Sequence, residues 1–113
     1  LYDGAYDIPC QFRYFECLPW GYSTLEYHEH THMVVIGRGK GQLLLGADLY
    51  DVNKGAFIEI PGNTIHQFRA NKGDYIGFFC LVNKERDKVK LLSDEEMETL
   101  RNHPKIKAFL ESC

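Results

Sequence analysis

The spacing of turn residues limits what this chain can fold into. Gly37, Gly39 and Gly41 are followed by Gly46-Ala47-Asp48, Asn53-Lys54-Gly55, Pro61-Gly62-Asn63 and Asn71-Lys72-Gly73-Asp74. Each cluster supplies the left-handed or φ-restricted backbone that a tight turn needs. The runs between them, with the alternating segment QFRYFEC before them, read as strands over 11–17, 23–28, 32–36, 42–45, 49–52, 56–60, 66–70 and 75–82. Many short strands with this punctuation predict an all-β sandwich or barrel.

After Asn83 the pattern changes. Ser93-Asp94-Glu95-Glu96 is a capping box, in which the Ser hydroxyl and the Glu carboxylate each accept from the other residue's backbone. Met97 and Leu100 continue a helical stripe. Pro104 suits the first turn of a second helix whose apolar face is Ile106, Phe109 and Leu110. At 113 residues the expectation is one domain spanning 1–113, with a barrel at about 11–82 and a helical tail at about 93–112.

Composition removes several classes of function. The net charge of −3 comes from interspersed acids and bases with no basic stripe, so nucleic acid is not an expected partner. No apolar run approaches the roughly 18–20 residues of a membrane span. Cys10, Cys17, Cys80 and Cys113 form no C-x-x-C pair and are read as free thiols, which suits a cytoplasmic chain. The chain begins at Leu1, so a preceding segment is not excluded. The aromatic stretch 1–9 reads as an arm lying on the body or on a second subunit.

One stretch carries chemistry. LEYHEHTH, residues 25–32, brings together Glu26, His28, His30 and His32, and a fourth histidine, His66, opens a later strand. On an unbroken strand residues 26, 28, 30 and 32 would share a face. Imidazoles clustered with a carboxylate are what a divalent transition metal needs.

Together with the GRGKG bend and GAFIEIPGNTIHQF (55–68), this stretch resembles the cupin superfamily over about residues 11–82. The family's second motif, G-x5-P-x-G-x2-H, is matched by Gly55, Pro61 and His66, with Asn63 where Gly is usual. Its first motif has an H-x-H pair, a later ligand and a glycine bend. Counted back from Gly39 and Gly41, the pair falls on Glu26 and His28 and the later ligand on His32. That spacing is similar to small single-domain microbial cupins with an H-x-H-x3-H…H site, here with Glu in the first place.

The resemblance implies a double-stranded β-helix (a jelly-roll barrel) with a C-terminal helical tail. It also implies one divalent metal ion (Mn, Fe, Ni, Co or Zn) held by Glu26, His28, His32 and His66. His30 falls in a turn in this register. A register pairing His28 with His30 would put Val34, which binds no metal, at the next ligand position. The implied function is a metal-dependent, dioxygenase-like enzyme acting on a small molecule; the competing reading is a non-catalytic ligand-binding or sensor barrel. A homodimer is expected, because a small jelly roll has edges to cover.

Cys80 reads as a small buried hydrophobe unless its strand turns it toward the metal. Arg13 reads as a surface residue unless it reaches inward to hold a substrate carboxylate. Trp20, Tyr22, Phe68 and Phe78 read as core or pocket lining. GRGKG follows a strand but opens no helix, so no nucleotide site is expected there.

Overall fold

The computed structural model describes residues 7, 9–19, 21–71, 73–83, 85–86 and 88–110. Among them the chain forms β1 (Cys10–Cys17), β2 (Glu26–Tyr27), β3 (His32–Leu45), β4 (Asp48–Asn53), β5 (Phe57–Ile60), β6 (His66–Ala70), β7 (Ile76–Asn83), β8 (Lys90–Leu91), α1 (Asp94–Arg101) and α2 (Pro104–Leu110). All ladders are antiparallel, and the curled sheet runs β1-β7-β3-β6-β2-β8, with β4 and β5 also paired to β3. This is the expected all-β body with a helical tail. Cys113, Trp20 and most of the N-terminal arm lie outside the described residues. No described helix is long and apolar enough to cross a membrane.

β3 organises the body. Its first half pairs with β5 and β7, its second half with β4 and β6. The GRGKG segment was expected as a bend between two strands. It is instead part of one 14-residue strand with an irregularity between Ile36 and Arg38. Ile36 pairs with Phe78 and Arg38 with Gly77, so one extra residue sits on β3, as in a bulge. The bulge changes the parity of the strand. Val34 and Ile36 face the interior before it, and Leu43 faces the interior after it, while Leu44 joins a separate cluster. Gly39 sits just beyond the bulge at φ 71°, where a Cβ would collide with the Tyr75 carbonyl oxygen.

The expected strand over 23–28 is mostly irregular. Tyr22 makes an isolated bridge to Arg69, and only Glu26 and Tyr27 form β2. Ser23 explains the interruption: its backbone and hydroxyl both bond to Phe68, and its carbonyl accepts from the Gln67 side chain. A residue engaged in this way by both side chain and backbone does not continue a regular ladder.

Two apolar clusters result. Val34, Ile36, Leu43, Ile60, Phe68, Phe78 and Cys80 belong to the interior cluster. On the other side of β3, Leu44 packs with Leu100, Ile106 and Phe109 of the helices. The Ser93 capping box forms as expected, with Glu96 N–H donating to Ser93 Oγ at 3.2 Å and Ser93 N–H to Glu96 Oε1 at 3.0 Å. Arg69 fastens the tail: it donates to the Leu110 carbonyl at 3.1 Å and stacks against Phe109.

Candidate metal centre

The site is assembled from three places. Glu26 on β2 and His66 on β6 are direct cross-strand partners, so their side chains emerge on the same face. His32 opens β3 opposite Ile60. His28 and His30 lie in the connection between β2 and β3. That connection is clamped by the Pro61-Gly62-Asn63 turn, where Asn63 N–H donates to the His28 carbonyl at 2.6 Å. Asn63 takes the left-handed conformation at φ 58°. A Cβ on Gly62 would meet the Glu29 carbonyl oxygen, so glycine is required for this approach. The two sequence motifs are therefore in direct contact.

One nitrogen from each of His28, His32 and His66 lies within 4.8 Å of the other two, and all three residues are buried. His28 Nδ1 is 2.8 Å from the His30 carbonyl, and His66 Nδ1 is 2.8 Å from the Thr64 carbonyl. Because a carbonyl only accepts, each Nδ1 carries the proton and each Nε2 keeps its lone pair. Burial first, then neighbouring imidazoles, pushes His32 down to about 3. Burial likewise takes His66 to about 4, against a raising bond to Thr64. Both rings are thus neutral near pH 7, the form that binds metal.

Glu26 Oε1 is 3.9 Å from His66 Nε2. With His66 neutral this contact is not an ion pair near neutrality. Burial raises the Glu26 carboxyl, and Arg13 opposes that shift. His30 does occupy the turn, but the turn folds its ring into the cluster. It stacks on His28 with centroids 3.8 Å apart, and its Nε2 lies 3.1 Å from His32 Nε2. On the other side of His32, Nδ1 is 3.2 Å from Cys80 Sγ. Cys80 is therefore both a buried small residue and a neighbour of the cluster. Burial raises its thiol, with Arg13 opposing. The described cysteines Cys10, Cys17 and Cys80 are free.

These groups open on a cavity of about 730 Å³ whose wall includes Glu26, His30, His32, His66, Phe68 and Phe78. Tyr22 and Val34 also line it, as does Arg13. The inward placement of Arg13, the less expected of its two readings, is the one observed. Sequence reasoning missed Arg86 and Lys88, which line the same cavity from the segment after β7. That segment carries no periodic pattern from which an inward direction could be read. The donor set, neutral imidazoles beside a carboxylate, fits a divalent transition metal.

Comparison with known proteins agrees with this geometry. A protein named 1-methylthio-D-xylulose 5-phosphate methylsulfurylase from Rhodospirillum rubrum is 42% identical over 101 residues, 89% of this chain. The chain spans 65% of that relative's length. A cupin 2 conserved barrel domain protein from Rhodopseudomonas palustris superposes with a TM-score of 0.89 at 47% identity, covering 91% of this chain and 71% of that one. A cupin-2 domain from Rhodospirillum rubrum superposes with a TM-score of 0.93 at 40% identity, covering 98% and 74%. The family model described as "Cupin domain" matches residues 14–82, more than half of the sequence, and the chain belongs to the cupin family.

Proposed function

We propose that this cupin is a metal-dependent enzyme acting on a small phosphorylated ketose that carries a methylthio group. The observation that carries the metal part is the convergence of His28, His32 and His66, each buried, with two of the three Nδ1 atoms committed to carbonyls. The substrate class comes from the methylsulfurylase relative. The sequence register gives the fourth ligand as Glu26. His30 competes for that place, because metal–nitrogen bonds of about 2.1 Å at right angles separate two nitrogens by about 3 Å, close to the 3.1 Å between His30 and His32.

When bound, a divalent ion in such a set supplies Lewis acidity toward a substrate oxygen. The chain's own residues prepare the surroundings. Phe68 and Phe78, stacked at 4.4 Å, give the cavity an apolar wall that limits water. Glu26, if left outside the ligand set, has a carboxyl raised by burial and is suited to hold or release a proton beside the cluster.

Dioxygenase-like chemistry is the second reading. It is favoured by the carboxylate beside the imidazoles, a mixture also used by non-haem iron oxygenases. Anaerobic incubation of metal-loaded protein with 1-methylthio-D-xylulose 5-phosphate separates the two. With a thiol present as acceptor, transfer of the methylthio group to it without O2 is expected: a sulfur–sulfur bond forms as the carbon–sulfur bond breaks, and the thiol proton ends on carbon. Turnover that requires O2 uptake would instead establish the oxygenase reading, and no turnover under either atmosphere would leave a non-catalytic binding barrel. Metal content of Glu26→Gln and His30→Gln identifies the fourth ligand, since only the ligand's replacement lowers it strongly.

A further inference from the structure

We propose that Arg13, with Arg86 and Lys88, forms the subsite for the phosphate group of a phosphomonoester whose other end reaches the histidine cluster. This deepens the preceding reading of the cavity as a small-molecule site and assigns residues to one end of the substrate.

Arg13 lies on the edge strand β1, in a cross-strand row with Cys80 of β7 and Val34 of β3. All three line the cavity. Its Nε is buried and makes no hydrogen bond among the described residues. Its guanidinium carbon stands 5.1 Å from the centre of the Phe15 ring, a neighbour that restricts how the group can turn. An arginine directed into a barrel loses hydration, and an oxyanion meeting its planar fork offsets that loss.

Charge supports an anionic occupant. Arg13, Arg86 and Lys88 line the cavity against Glu26 as the single carboxylate among its described lining residues, in a chain of net charge −3. The cationic character is therefore local to the cavity. A carboxylate would need Arg13 alone, whereas the further cations suit a doubly charged phosphate.

The geometry supports a short substrate. The Arg13 side chain bonds to Cys80, whose Sγ is 3.2 Å from His32 Nδ1. A phosphate held by its guanidinium therefore lies close to the cluster, and the rest of a small substrate has only a short way to reach His32 and His66. The cavity's size is within the usual range for small-molecule sites.

The test measures binding of D-xylulose 5-phosphate, D-xylulose and D-xylonate to the metal-loaded full chain by calorimetry. Loss of charge-assisted bonds is expected to cost about tenfold or more in affinity. The intact protein should therefore prefer the phosphate ester over D-xylulose by at least about that factor. Arg13→Gln should remove the preference with unchanged metal content and circular dichroism. Arg86→Gln/Lys88→Gln should reduce it, and this variant keeps the question open to decision if Arg13→Gln fails to fold. Equal binding of ester and free sugar, preference for D-xylonate, or a preference untouched in a folded Arg13→Gln protein would overturn the assignment. An Arg13-dependent phosphate preference in a chain that retains no metal would sustain this subsite while defeating the metal-enzyme reading.

Discussion

The two apolar clusters of this protein lie on opposite sides of one strand and are built to different ends. The outer one, Leu44 with Leu100, Ile106 and Phe109, joins helix to sheet through apolar side chains. The inner one borders a cavity and is interrupted by the buried His28, His32 and His66. The outer cluster holds the tail in place, and its value is in the area it removes from water. The inner cluster gives up packing to hold imidazoles in a neutral, metal-ready state. Changes to the outer cluster should therefore affect stability, and changes to the inner one chemistry.

The sharpest break in that contrast should come from His66→Ala and His28→Ala. Each is expected to abolish metal retention, measured by elemental analysis of protein purified without metal resin, while circular dichroism stays that of a folded chain. Metal held by either variant would remove the proposed ligand set.

Phe109→Ala tests the other side. Truncating a buried Phe typically costs about 3–5 kcal/mol, read here as a lower urea midpoint, and metal content per folded chain should not change. Coupled loss of metal would show that the clusters are not separable.

Acidification should weaken the metal-free protein through its interior. His32 and His66 have folded-state values of about 3 and about 4, below the ordinary 6.5. Above pH 6.5 the rings are neutral in both folded and unfolded chains, so their contribution is constant. As pH falls below 6.5 the unfolded chain takes up protons that the folded one refuses, and stability is lost down toward pH 3–4. Urea midpoints across that window should fall for the metal-free protein and fall less for His66→Ala.

The smallest effect is expected from Ser93→Ala. Removing an N-cap hydroxyl costs about 1 kcal/mol, measurable as a small shift of the urea midpoint. Metal content should be unaffected.

What could be read from sequence was what local chemistry determines. The turns at Pro61-Gly62-Asn63 and Asn53-Lys54-Gly55, the strand His66–Ala70 and the Ser93 cap depend on nearby residues and appear as expected. The proximity of His28, His32 and His66 was legible because two motifs with fixed spacing had to meet. The inward turn of the His30 ring was not, since a bend's side-chain directions depend on what packs against it. Arg13 was misjudged toward the surface for a related reason: an alternating edge strand gives no sign of which face encloses a cavity. The interruption after Ser23 required Phe68 and Gln67, more than 40 positions away.

The extra residue on β3 has a consequence for how this sequence tolerates editing. A side chain added at Gly37 would displace the Phe79 ring, but deleting one residue there would remove the change of parity. Either His32, Val34 and Ile36 would turn outward, or Leu43 and Leu44 would exchange places between the two sides of the sheet. A one-codon deletion in this segment should therefore yield insoluble protein, whereas deletion of Gly73, in the turn before β7, should be accepted more readily. Chain length between Ile36 and Gly39 carries information that residue identity alone does not.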